Sequence, residues 1–132
     1  MNNKLSTCRA IIIKDNNILL MHRRNKGEEY WVFPGGHIDD GESAEEAMKR
    51  EIWEELSLRV IKLSKPHPYI HEFGTKECYF NCEVEEGEAK LHPSGNEKSN
   101  PEDWYNPEWV DLLLAKKLAK LYPAKVADII KK

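Results

Sequence analysis

At 132 residues, the chain fits one domain, 1–132, built around a single core. With 40% hydrophobic and 33% charged residues it is expected to be globular, which excludes an intrinsically disordered chain. Twenty basic residues against 23 acidic ones give a formal charge of −3. That balance excludes a general nucleic-acid grip, though a local basic patch for a small phosphorylated ligand remains open.

The apolar runs at 10–13 and 18–21 are far too short to span a bilayer. The first residues, MNNKLSTCRAIIIK, lack an adequate secretory h-region. Cys8, Cys78 and Cys82 are an odd set and read as reduced thiols. The expectation is a cytoplasmic protein, monomer or homodimer, with no membrane partner.

Runs 10–13 and 18–22 flank Asp15-Asn16-Asn17, residue types that tolerate left-handed turns, so a β-hairpin is predicted. Residues 30–33 form a third strand, broken by Pro34-Gly35-Gly36. A helix begins at Ser43, where Ser43 and Glu46 make a capping-box pattern. Ala44, Ala47, Met48, Ile52 and Leu56 give it an apolar face. Strands follow at 58–63, 69–73 and 79–84, then a polar loop over 85–107. Residues 108–110 make a short strand and Asp111 caps a helix through 117. Pro123 opens a last helix ending near 130. This order favours an α/β class, either α+β or a layered α/β/α sandwich with a mixed sheet.

The first helix carries Arg50, Glu51, Glu54 and Glu55. At about 100° per residue, the three glutamates fall on an arc of roughly 100° beside the apolar face. Ala44 and Ala47 share that arc and leave room for a ligand. Like charges at i,i+4 and acids in the last helical turn each cost a few tenths of a kcal/mol or more. Arg50 can offset part of this through Glu46 or Glu54. A solvated acidic helix is the plain alternative. Asp39, Asp40 and Glu42 add more oxygens nearby, and the set lacks His and Cys, which suits a hard cation such as Mg²⁺ or Mn²⁺. The chemistry that follows is metal-assisted attack of water on a phosphate.

Segment 36–58, GHIDDGESAEEAMKREIWEELSL, resembles the box of the Nudix hydrolase family. Its pattern is Gly, five residues, Glu, seven residues, Arg-Glu-apolar-any-Glu-Glu-any-Gly-apolar. Here it reads Gly36, Glu42, Arg50, Glu51, Ile52, Glu54, Glu55, Ser57 and Leu58, with Ser57 in place of the last Gly. Trp31, Phe33, Pro34 and Gly35 also look like the family's approach to the box. The resemblance implies a loop–helix–loop inside an α/β/α sandwich, and hydrolysis of a nucleoside diphosphate linked to another group. It implies Mg²⁺ or Mn²⁺ on Glu51, Glu54 and Glu55, with a carbonyl from Gly35 or Gly36. Glu54 or Glu55 would help activate water, Arg50 would orient the carboxylates, and Glu42 would support the loop. A loop acid of the family would correspond to Glu97, with Glu102 and Asp103 beside it. Serine at 57 costs about 1–2 kcal/mol if the helix stop stays left-handed.

Outside the box, Arg9, Arg23 and Arg24 are guanidiniums on the first strands, with Arg23 the preferred phosphate contact and an exposed edge charge its plain alternative. Tyr30 is a candidate to stack on a base, although core packing competes for Tyr30, Trp31 and Phe33. Trp104 and Tyr105 are candidates to line the pocket. His67, His71, Cys78 and Cys82 have the residue types for zinc without a standard spacing. The expected substrate is a nucleoside triphosphate, including an oxidised one, cleaved to monophosphate and pyrophosphate. ADP-ribose or a nucleotide sugar comes second, dinucleoside polyphosphates third. A nucleotide-sensing module without turnover is the competing class.

Overall fold

The computed structural model describes residues 5–70, 76–87 and 103–122. The chain opens with β1 (Leu5–Ile11), β2 (Ile13–Lys14), β3 (Asn17–Asn25), β4 (Glu28–Val32) and β5 (Gly35–His37). Helix α1 (Ala44–Leu56) follows, then β6 (Val60–Leu63), β7 (His67–Ile70) and β8 (Lys76–Val84). The last described elements are β9 (Asp103–Asp111), the one-turn α2 (Leu112–Ala115) and β10 (Leu121–Tyr122). Two sheets form, β5-β1-β8-β6 with β7 also on β8, and β10-β4-β3-β2 with β9 also on β3. The β1–β8 and β4–β10 pairs are parallel and the others antiparallel, so both sheets are mixed.

Two tight turns set the early registers. Asp15 and Asn16 both take positive φ (50° and 65°), the conformation a two-residue hairpin needs, between β2 and β3. Lys26 and Gly27 repeat it between β3 and β4 (φ 52° and 82°). Side chains then alternate between two apolar layers. Cys8, Ala10, Ile12, Leu19, Met21, Phe80 and Cys82 pack with Met48, Ile52 and Leu56 of α1. Ile11, Ile18, Leu20, Phe33 and Tyr79 pack with Ala115 of α2 and Leu121. This layering is the expected α/β class.

Helix α1 starts as the sequence predicts. The Ser43 side chain accepts from the Glu46 N–H, and the Glu46 side chain accepts from the Ser43 N–H. It stops at Ser57, which keeps the left-handed conformation (φ 57°, ψ 33°) while its N–H donates to the Trp53 carbonyl at 3.0 Å. Ala47 is fully buried in the core, so it opens no space for a ligand.

The structure corrects the sequence reading at 103–107. These residues are strand, not loop, because β9 runs alongside β3 from Asn17↔Asp111 to Asn25↔Asp103. Pro107 misleads the sequence pattern. Among the described residues β9 pairs only with β3, and an edge strand tolerates a residue with no N–H to give. The helix expected from Asp111 to 117 is confined to the four residues of α2, with Asp111 accepting from the Leu113 and Leu114 N–H groups. The strand expected at 69–73 is β7, which starts earlier, at His67. Residues 71–73 and the helix expected after Pro123 lie outside the described residues.

Candidate active site

Gly35 and Gly36 form a short strand because no larger residue fits there. A Cβ on Gly35 would collide with the Cys8 carbonyl of β1, and one on Gly36 would lie 2.5 Å from the Glu51 carboxyl carbon. The bare backbone therefore lets α1 lay its acids directly on β5. Glu51 rests against Gly36, and Glu55 accepts a hydrogen bond from the Gly35 N–H at 3.3 Å.

Arg50 organises the outer part of this helix. Its Nε and Nη2 grip the two oxygens of Glu42 at 2.8 and 2.9 Å, a two-pronged pairing. Nη1 donates to Glu51 and to Glu54, each at 3.0 Å, and Nη2 also donates to the His37 carbonyl at 2.9 Å. Asp39 lies 3.5 Å away. Glu42 returns an acceptor to the Asp39 N–H at 3.0 Å and so closes the acidic loop. Of the two partners expected for Arg50, Glu54 is engaged, while Glu46 is spent on the helix cap. The hydrogen bond from Arg50, then that from the Asp39 N–H, hold Glu42 below the ordinary carboxylate range, and Glu42 foremost raises Arg50.

Burial works against two of the acids, Glu51 and Glu55, and of these only Glu51 has Arg50 to offset it. Burial pushes Glu51 up despite Arg50, with Glu54 and Asp39 adding repulsion. Burial pushes Glu55 further, to about 7, against the Gly35 N–H and the more distant charges of Arg9 and Arg23. An acid titrating near neutrality is suited to take a proton from water.

Glu55 and Gly35 line a cleft of about 720 Å³. Arg9, Arg23, Tyr30 and Tyr105 line it too, from β1, β3, β4 and β9. The Arg23 guanidinium lies 5.9 Å from the Tyr30 ring centre and 5.4 Å from that of Tyr105. A second groove of about 690 Å³, which Lys14 and Lys62 line, gathers none of these acids, and its Lys14 is paired with Glu86 at 2.6 Å.

Several candidates fall elsewhere. Trp31 stacks on His22 at 4.1 Å, Trp104 meets the same ring edge-on at 4.9 Å, and neither lines the cleft. Arg24, next along β3 from Arg23, does not line it either. Phe33 is both a cleft residue and a fully buried core residue. Glu97 and Glu102 lie outside the described residues. The zinc candidates separate: Cys78 and Cys82 are buried in the α1 layer, His67 stacks on Tyr79 of the other layer, and His71 is outside the described residues. All three cysteines are free thiols, and burial raises Cys8 to about 12. Tyr105, a pocket candidate from the sequence, lines the cleft. Glu77, the residue that holds Arg9, carries no local motif; its signal is an acid beside the apolar run Cys78-Tyr79-Phe80.

The donors around Gly35-Gly36 are all hard oxygens, as Mg²⁺ or Mn²⁺ requires. Among the described residues, however, no three acids converge at ligating distance, because Arg50 engages Glu51 and Glu54. The set fits a hard cation in chemistry and in the buried charge of Glu55, which no guanidinium hydrogen-bonds among the described residues.

A loop–helix–loop of acids laid on a glycine strand, beside a cleft that Arg9 and Arg23 line, has the chemistry of a hydrolase of phosphoric anhydride bonds. The NUDIX domain family model matches residues 4–125, and the chain belongs to that family of pyrophosphohydrolases. The RNA pyrophosphohydrolases of Shewanella sp. (strain ANA-3) and Shewanella oneidensis are each 53% identical to it over 119 residues, covering 76% of this chain and 67% of theirs. The solved structure of MutT from Aliivibrio salmonicida and Vibrio cholerae shares the fold at a TM-score of 0.71 and 20% identity, over 96% of this chain and 94% of that one. The E. coli ORF135 protein does so at a TM-score of 0.67 and 24% identity, over 98% and 88%.

Proposed function

We propose that the protein, as one domain, cleaves a nucleoside 5′-triphosphate to the monophosphate and pyrophosphate. The observation that carries this is the hydrogen bond of Glu55 to Gly35, both in a cleft that two guanidiniums also line, with Glu51 beside it against Gly36. Glu51, Glu54 and Glu55, with a carbonyl of Gly35 or Gly36, would hold Mg²⁺ or Mn²⁺. When bound, the ion supplies charge neutralisation for the phosphates and a more acidic water. Glu55 or Glu54 receives the proton of the attacking water. Arg50 keeps the outer acids in place, and Glu42 ties Arg50 to the loop. Arg23 binds phosphate and Tyr30 offers a ring to the base. Glu97 remains our candidate for a further acid from the loop.

A second reading has a specific basis, the RNA pyrophosphohydrolase activity named for the 53% identical relatives. In it the same triphosphate sits at the 5′ end of an RNA. The formal charge of −3 offers little grip on the rest of such a chain, which is why the free nucleotide is placed first. A panel with Mg²⁺ and Mn²⁺ tests both. It contains ordinary and oxidised nucleoside triphosphates, ADP-ribose, and a 5′-triphosphorylated RNA oligomer, with Glu54→Gln as control. Pyrophosphate release from the free nucleotides supports the first reading; release from the oligomer alone moves the assignment to the second. Turnover of ADP-ribose alone, or of nothing, rejects both.

A further inference from the structure

Glu77 is the one buried charged residue among the described residues, with only 7% of its surface exposed. Its Oε2 accepts from the Thr7 hydroxyl at 2.9 Å and from Arg9 Nε at 3.1 Å. Its Oε1 is buried and has no hydrogen-bond partner among the described residues. A half-satisfied buried ion pair is a poor way to stabilise a sheet, since an apolar pair of similar volume serves as well or better. Its effect is geometric. Arg9 is clamped twice, by Glu77 through Nε and by the Phe33 carbonyl through Nη1 at 2.9 Å. A guanidinium has five N–H groups, and these two bonds leave the rest uncommitted among the described residues. Arg9 lines the cleft, and its side chain is 27% exposed there.

The sheet register explains the placement. In the parallel β1–β8 pair Glu77 sits beside Thr7, two residues along β1 from Arg9. On the other side of β1, Arg9 is paired with Gly35, whose N–H holds Glu55. The cation and the acid therefore meet at one glycine.

We propose that Arg9 grips a phosphate of the substrate and that Glu77 is the positioning residue that aims it. This rests on the polyphosphate reading of the cleft. It adds a second cation to Arg23, on the opposite sheet, so that a polyphosphate chain is held from both sheets.

The test is calorimetric binding of inorganic tripolyphosphate in the presence of Mg²⁺, with KM and kcat measured alongside. Arg9→Ala and Glu77→Gln each weaken tripolyphosphate binding by roughly tenfold or more, the scale of a lost charge-assisted hydrogen bond. They raise KM more than they lower kcat, and the double variant binds no worse than Arg9→Ala alone. The apolar pair Arg9→Met with Glu77→Leu leaves no buried charge, so it folds even where Glu77→Gln does not, and it still binds weakly. Wild-type affinity in that apolar pair or in Arg9→Ala would make the ion pair merely structural and overturn the proposal. Absence of tripolyphosphate binding by the wild type would overturn it as well. Failure of the triphosphate-hydrolase reading looks different: no turnover in the nucleotide panel while tripolyphosphate binding still depends on Arg9.

Discussion

The two sides of the acidic helix solve one electrostatic problem in opposite ways. On the outer side, Glu42, Glu51 and Glu54 share Arg50 at 2.8 to 3.0 Å. On the inner side, Glu55 has one backbone N–H at 3.3 Å and is pushed to about 7. The outer acids are held by the protein itself, whereas the inner acid is left short of positive charge where a cation and a water would be needed. Stability is sacrificed at the point where chemistry is proposed.

The largest effects should come from cutting into this contrast. Glu54→Gln and Glu55→Gln are each expected to lower kcat by about a hundredfold or more, measured by pyrophosphate release. A variant at near-normal rate would remove that residue from the mechanism. Arg50→Ala should unbalance the outer side. Three acids lose their shared cation, so metal-free melting temperature falls, and activity falls with it as the acids splay.

Stability against pH sharpens the comparison. Glu55 has a raised folded-state value, about 7 against an ordinary 4.5. Its contribution is therefore fully favourable below about 4.5 and is lost as pH rises through 7. Metal-free protein should lose a few kcal/mol across that window from this group. Glu55→Gln should flatten the loss and melt higher than wild type at pH 8, despite being inactive. An unchanged pH slope in that variant would show that Glu55 is not the strained acid.

Gly36→Ala is next in size. Its methyl group needs the space of the Glu51 carboxyl, so roughly 1–3 kcal/mol of stability and part of the activity should go. The smallest change is a gain. Ser57→Gly relieves a left-handed serine, and thermal melting should rise by a few degrees, about 1 kcal/mol, with activity unchanged.

Local physics made much of this legible in the sequence. The Asp15-Asn16 turn, the Ser43–Glu46 cap and the apolar stripe of α1 depend on neighbours within a few positions, and so does the Ser57 stop. Long-range pairing was not legible. Arg9 and Glu77 are 68 positions apart and meet only because β1 and β8 run parallel. Tyr105 reaches the cleft because β9 lies along the whole of β3, a pairing that Pro107 disguised. Arg50 was expected to pair along its own helix, and it also reaches back to Glu42 and the His37 carbonyl, which the loop brings round to it.

Manganese titration followed by electron paramagnetic resonance probes the central claim most directly, because bound Mn²⁺ leaves the free-ion signal. At pH 7.5 the wild type should take up Mn²⁺, more tightly with nucleotide present, and Glu51→Gln and Glu55→Gln should each lose most of that uptake. A wild-type protein that leaves the free Mn²⁺ signal untouched, with or without nucleotide, would contradict the account.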